Sequence, residues 1–169
     1  MLNKNVAKLL NEQVNKEMFS AYLYLDMSHY YINKGLDGFA NWFKIQAKEE
    51  MDHAMLFITY LQNNGFEVEL EAIAKPTINY QDNRQPLTEA LKHEEFVTSS
   101  INAIYEEALK VKEYKTQEFL HWFIKEQVEE EKNANDLILA YDLFGKAGLF
   151  ALNTKLSARK YEAPSLELD

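Results

Sequence analysis

Residues 43–61 read FKIQAKEEMDHAMLFITYL. Phe43, Glu50, His53, Phe57 and Leu61 recur at spacings that share one face of a 3.6-residue helix. That face is apolar except at its middle, where Glu50-x-x-His53 sets a carboxylate beside an imidazole. Three other stretches repeat the pattern of an apolar stripe interrupted once by an acid: Leu10, Val14, Glu17, Ala21, Tyr24; Leu87, Leu91, Glu94, Ile101, Ala108; and Phe123, Gln127, Glu130, Ala134, Leu137, Tyr141. A buried carboxylate without compensation costs several kcal/mol, and four converging on one core repel each other unless protons or cations intervene. The pattern points to a metal site inside an all-α bundle.

Working outward, helical periodicity runs from about Asn5 to Asn33, with Asn33, Lys34 and Gly35 as the stop, and resumes from Leu36 or Asp37 to Asn64 before Gly65. So short a link makes the two helices antiparallel neighbours. Residues 65–85 break the period: Phe66, Val68 and Leu70 alternate with acids, and Pro76, Tyr80 and Asn83 follow, as in an extended crossover. A third helix is expected from Pro86 to about Lys112, and a fourth, capped by Thr116, to about Phe144 before Gly145. A short amphipathic helix is expected at about 149–158, ahead of a polar tail containing Pro164. In each antiparallel pair, residues equidistant from the turn lie at one height. Glu17 and His53 are each about 18 residues from Gly35, and Glu94 and Glu130 each about 18 from Lys112, so all four helices present their polar residue at one level.

The composition fits a single bundle. With 169 residues, 47% of them hydrophobic, the chain forms one domain, 1–169, with the bundle at about 5–144. The net charge of -9, from 27 acidic and 18 basic residues, argues against nucleic acid as a partner and favours cations. With no cysteine, any metal is held by oxygen and nitrogen, a donor set that suits iron. Residues 1–10 lack a signal peptide's apolar segment and no long apolar run offers a membrane span, so the expected location is cytoplasmic. Residues 21–32, with Tyr22, Leu23, Tyr24, Leu25, Met27, Tyr30 and Tyr31, carry apolar groups on nearly every side of their helix. This surplus is expected to pack against other subunits of a homo-oligomer.

At the waist of the bundle the simplest sharing gives one metal Glu17, Glu50 and His53 and the other Glu50, Glu94 and Glu130, with Glu50 bridging. Two irons about 3.5 to 4 Å apart on shared oxygens suit reaction with O2 or H2O2. Gln127, one turn before Glu130 and neutral, suits hydrogen bonding to a bound species, which leaves the second metal more loosely held. Tyr24 is placed to donate a hydrogen bond or an electron near the site. Trp122 reads as aromatic packing or a radical sink, and His29, His93 and His121 as surface or interface residues.

Glu17, Tyr24, Glu49, Glu50, His53, Glu94, Glu126, Gln127, Glu129 and Glu130, with the KEEMDH run at 48–53, the EQVEEE run at 126–131, the long crossover and the short final helix, resemble the non-haem bacterial ferritins over essentially the whole chain. The resemblance implies a ferritin-like four-helix bundle with a long crossover between helices 2 and 3 and a short fifth C-terminal helix. It further implies a 24-subunit hollow cage whose ferroxidase centre oxidises iron(II) and whose interior stores hydrated ferric oxide. A third iron position is implied at Glu49, Glu126, Glu129 and Glu130. Met51 stands where haem-binding relatives supply an axial methionine, but those proteins repeat Glu-x-x-His on helix 4 where this chain has Gln127 and Glu130, so no haem is expected. A rubrerythrin-type oxidase would bring a cysteine-rich module, and none is here. A cytokine-like interaction bundle would place apolar residues at 17, 50, 94 and 130. A small 12-subunit DNA-protecting ferritin would hold its metal between subunits.

Overall fold

Asn3 opens the first helix: its side-chain oxygen accepts hydrogen bonds from the backbone N–H groups of Asn5 (2.9 Å) and Val6 (3.5 Å), donors with no partner inside the helix. Helix α1 then runs Lys4–Asn33, α2 Asp37–Asn63, α3 Gln85–Lys110 and α4 Tyr114–Leu156. The structure is a computed structural model and describes residues 2–168. The first three helices end alike. Gly35 N–H reaches Ile32 O and Leu36 N–H reaches Tyr31 O, both at 3.0 Å; Gly65 and Phe66 repeat the pattern on Gln62 and Leu61, and Lys112 and Glu113 on Leu109 and Ala108. This closure needs a left-handed residue, supplied by Gly35 (φ 71°), Gly65 (φ 72°) and, at a steric cost, Lys112 (φ 57°).

Helices α1 and α2 pack as one hairpin and α3 and α4 as the other, with α1 against α3 and α2 against α4. The crossover, residues 64–84, carries no helix or strand and lies along α1, where Asn11 exchanges two hydrogen bonds with Glu69 and Asn15 donates to the carbonyls of Glu71 and Ala72. Its early residues Phe66 and Val68 pack on one apolar cluster and its late residues Ile78 and Tyr80 on another, so it travels the length of the bundle. One cluster gathers Tyr24, Tyr31, Phe39, Phe43, Leu87 and Leu137, and the other Leu10, Val14, Phe57, Leu61, Ile101 and Phe123. On every helix the acid of the stripe falls between the two, so the core is interrupted by one polar layer. Among the described residues no helix is long and apolar enough to cross a membrane.

Several expectations are adjusted. The residues expected as a separate final helix at 149–158 are helical to Leu156 and fall within the span of α4, but Gly145 (φ 58°, ψ −165°) breaks the helical backbone ahead of them, and Leu152 and Leu156 are buried in the first cluster. Thr116 does not cap α4, whose first residue is Tyr114; it is buried, with its hydroxyl 2.9 Å from that of Tyr60. Helix α3 stops at Lys110, two residues early, because Lys112 takes the left-handed turn. The aromatic surplus of α1 divides: Leu23, Tyr24, Met27 and Tyr31 are buried within the chain, and Tyr31 stacks on Phe39 and Phe43. Tyr22, Leu25 and Ile32 remain exposed.

Candidate metal centre

Glu17, Glu50 and His53 are all buried, and each offers one ligand atom within 4.8 Å of the other two. Antiparallel packing of α1 on α2 brings them together, because Glu17 and His53 lie equally far from the Gly35 turn. His53 Nδ1 is 3.2 Å from Glu50 Oε2, one helical turn back, and the imidazole packs edge-on against Trp122 and Phe123. Gln13 Nε2 donates to Glu17 Oε1 at 2.8 Å; the Gln13 oxygen in turn accepts from Ser100, whose hydroxyl accepts from Lys16. What is left over is informative. Glu17 Oε2 and Glu50 Oε1 are buried and have no hydrogen-bond partner, a costly state for a carboxylate and the state expected of groups that await a cation.

Glu94 and Glu130 are buried at the same level, on α3 and α4. Tyr24 OH donates to Glu94 Oε1, and Gln127 Nε2 donates to Glu94 Oε2 at 3.1 Å. Gln46 Nε2 donates to Glu130 Oε2 at 2.6 Å. Among the described residues Glu50, Glu94 and Glu130 do not draw together as tightly as the first trio does. Each of the latter two is tied to a neutral donor instead. Gln127, expected to hydrogen-bond a bound species, donates to Glu94 itself.

Burial pushes the carboxyls of Glu17, Glu50 and Glu130 well above the usual glutamate range and raises Glu94 as well, with the neighbouring carboxylates adding to the rise at Glu17, Glu50 and Glu130. The same burial, with Glu94 close by, pushes the Tyr24 phenol up. The layer therefore favours neutral carboxyls over bare carboxylates, and a cation binding there competes with protons. The donor set of carboxylates with one imidazole is right for a first-row divalent metal such as iron.

Glu49, Glu126, Glu129 and Glu130 do share one space: with His53 and Trp122 they line a cavity of about 540 Å³ between α2 and α4. Burial raises the Glu49 and Glu126 carboxyls, and at Glu49 the Arg159 guanidinium opposes the rise. The other wall of the cavity is the C-terminal tail, including Arg159, Lys160 and Ser165, to which sequence reasoning gave no role. Only its two cations, in an otherwise acidic protein, could have drawn attention to it. Gln13 and Gln46 were also missed, because a glutamine on an apolar stripe carries no signal until its partner is seen. His93 is partly buried. Its Nε2 lies 2.7 Å from the Ser20 hydroxyl, it packs against Phe19, Tyr24 and Phe96, and burial pushes it down to about 4. His29 and His121 are exposed, and Met51 is largely so.

A sequence profile of the ferritin-like domain of the ferritins matches residues 7–143. The bacterial non-heme ferritin of Campylobacter jejuni is 41% identical over 148 residues, 88% of this chain and 89% of its own length. That of Bacteroides fragilis is 33% identical over 159 residues, 94% of this chain and 100% of its own. Among solved structures, the open-pore ferritin of the hyperthermophilic archaeon Archaeoglobus fulgidus superposes with a TM-score of 0.92 at 36% identity, over 94% of this chain and 98% of that one. Its engineered closed form reaches 0.93 at 35% identity, over 96% and 100%. The polar layer, the crossover bundle and these relatives together place the chain in the ferritin family, with the bacterial non-haem ferritins.

Proposed function

We propose that this chain is an iron-storing ferritin that oxidises iron(II) at the polar layer and deposits ferric oxyhydroxide inside a hollow homo-oligomer, with the whole chain, 1–169, as one ferritin-like domain. The observation that carries the reading is the pair of unpartnered oxygens on Glu17 and Glu50 beside His53, in the middle of an apolar core. Iron(II) is the substrate, and each ion gives up one electron to O2 or H2O2. Glu17 and His53 hold the first ion and Glu50 bridges to the second, which Glu94 and Glu130 complete. Tyr24 and Gln127 orient Glu94. The acidic cavity at Glu49, Glu126 and Glu129, which also borders His53 and Glu130, would take a third ion beside the centre. The 24-subunit cage rests on family resemblance.

Adding iron(II) in air to the apo-protein should produce ferric absorbance within the assembled particle. Glu50→Ala should slow the initial rate by at least about 100-fold, since losing even an outer partner of a metal ligand costs about 10–100-fold. Retention of helical content in that variant would separate lost chemistry from lost fold. A wild-type rate in Glu50→Ala would refute the assignment.

A further inference from the structure

After α4 the chain crosses the mouth of the acidic cavity and is fastened at several points. Tyr161 OH donates to Asp52 at 2.6 Å and carries Lys48 Nζ over its ring at 3.8 Å; Ser165 Oγ accepts from Trp122 Nε1 at 2.9 Å; Leu166 and Leu168 pack on the second apolar cluster. Arg159 makes the most contacts. Its guanidinium lies 4.0 Å over the Trp42 ring; Nη1 donates to Trp42 O at 3.1 Å and to Gln46 Oε1 at 3.0 Å, and Nη2 donates to Glu49 Oε2 at 2.6 Å. The Arg159–Glu49 pair is largely withdrawn from water, with side chains 18% and 16% exposed, so it is screened less than a surface pair.

We infer that Arg159 is a positioning residue of the iron centre, an internal cation that holds Glu49 directly and Glu130 through Gln46, and that iron(II) takes the third position beside Glu49 only by displacing it. This rests on the proposed iron-site reading. Two physical arguments carry it. A guanidinium has donors and no acceptor, so it fixes the amide oxygen of Gln46 towards itself and thereby turns the Gln46 N–H towards Glu130. A metal ion bound at Glu49 would sit within a few ångströms of the guanidinium, and two cations competing for one carboxylate in a partly buried site repel strongly. The tail that delivers Arg159 must then loosen when the third position fills.

The assembled apo-protein would be titrated without oxygen with iron(II), and with zinc(II) as a redox-silent probe. Calorimetry reads the successive affinities, and amide hydrogen exchange reads residues 159–165. In wild type the tail should lose protection only as the weakest equivalent binds. Arg159→Ala should tighten that equivalent by about tenfold, the weight of one charge-assisted hydrogen bond, and leave the first equivalent within about twofold. Arg159→Lys, which keeps the charge and the tail's anchorage but loses the fork, should fall between the two. An unchanged or weakened last equivalent in Arg159→Ala, or tail protection indifferent to metal, overturns the inference. Glu50→Ala separates the two failures: if it keeps the tight first equivalent, the iron-site reading itself fails, whereas if it loses that equivalent and Arg159→Ala changes nothing, only the role of Arg159 fails.

Discussion

Glu17, Glu50, Glu94 and Glu130 are glutamates that folding makes hard to ionise, and this fixes how the metal-free protein responds to pH. Their folded pKa values lie above those of the unfolded chain, so between the two the native state binds more protons. Their contribution to stability is complete below the unfolded value and is lost as pH rises through the folded values. The apo-protein should therefore lose melting temperature as pH climbs from the ordinary glutamate range towards neutrality, and metal should abolish that slope by replacing the protons. A flat apo profile across that window would contradict the buried-proton account. The same residues set a filling order. Glu17, Glu50 and His53 are already gathered within 4.8 Å, whereas Glu94 and Glu130 must be drawn from Tyr24, Gln127 and Gln46. Imidazole is also the better donor for a first-row metal. His53→Ala should thus weaken the first iron(II) equivalent by at least about tenfold and Glu130→Ala by much less. Anomalous diffraction at substoichiometric iron checks this, and higher occupancy beside Glu94 and Glu130 would exclude it. These five residues were legible in the sequence because a lone acid in an apolar stripe is an anomaly. Gln46 and Arg159 were not, because their partners lie 84 and 110 positions away and only the fold supplies them, and Gln13, though one turn from Glu17, is a neutral amide that carries no signal until the contact is seen.

Helix ends divide in the same way. Gly35 and Gly65 announce left-handed turns to anyone reading the chain, so α1 and α2 were bounded within a residue or so. Lys112 adopts the same geometry with a β-carbon, and no residue type signalled it, which is why α3 was drawn too long. Lys112→Gly removes that steric penalty and should stabilise the protein by about 0.5–1 kcal/mol, partly offset by the freer unfolded chain. Chemical denaturation reads the change, and a loss of stability would mean the lysine side chain contributes something its geometry does not show. The α2 N-terminus is a second case. Leu36 cannot cap it, and Asn153 from the far end of α4 does so instead, its Oδ1 accepting from Gly38 N–H at 2.8 Å and Phe39 N–H at 3.3 Å. The approach is so close that a β-carbon on Gly38 would lie 1.7 Å from the Asn153 carbonyl oxygen. Asn153→Ala should cost about 1 kcal/mol as a lost cap. Gly38→Ala should cost more and raise hydrogen exchange through residues 146–156, because the α4 end has to move off α2.

At the scale of the whole molecule the question is which apolar groups the single chain leaves uncovered. Tyr31 was expected at a subunit contact, yet it is fully buried under Phe39 and Phe43 and donates to Asn83 O, so Tyr31→Ala should cost about 3–5 kcal/mol of folding stability and lower the melting temperature of the subunit. Periodicity misjudged it because the crossover, which covers that side of α1, has no period to read. Besides Tyr22, Leu25 and Ile32 on α1, several exposed large side chains sit on one stretch of α4 around the Gly145 kink: Leu139, Leu143 at 85% exposure, Phe144, and Phe150 at 82%. A single exposed leucine is ordinary, but this many on one segment of an otherwise acidic surface is the face expected to be covered in the homo-oligomer proposed above. Covering Leu143 and Phe150 would contribute roughly 1.5–3 kcal/mol each, so the double change Leu143→Asp with Phe150→Asp should raise the concentration at which the oligomer dissociates by at least about 100-fold. Neither side chain packs inside the single chain, so helical content should stay that of the wild type, which distinguishes this outcome from the unfolding expected of a charge at position 31. Sedimentation of the double variant at low protein concentration decides the matter. Particles of wild-type size would show that the assembly is closed by another face, and the apolar segment at 139–150 would then have to be covered by something other than a second copy of the chain.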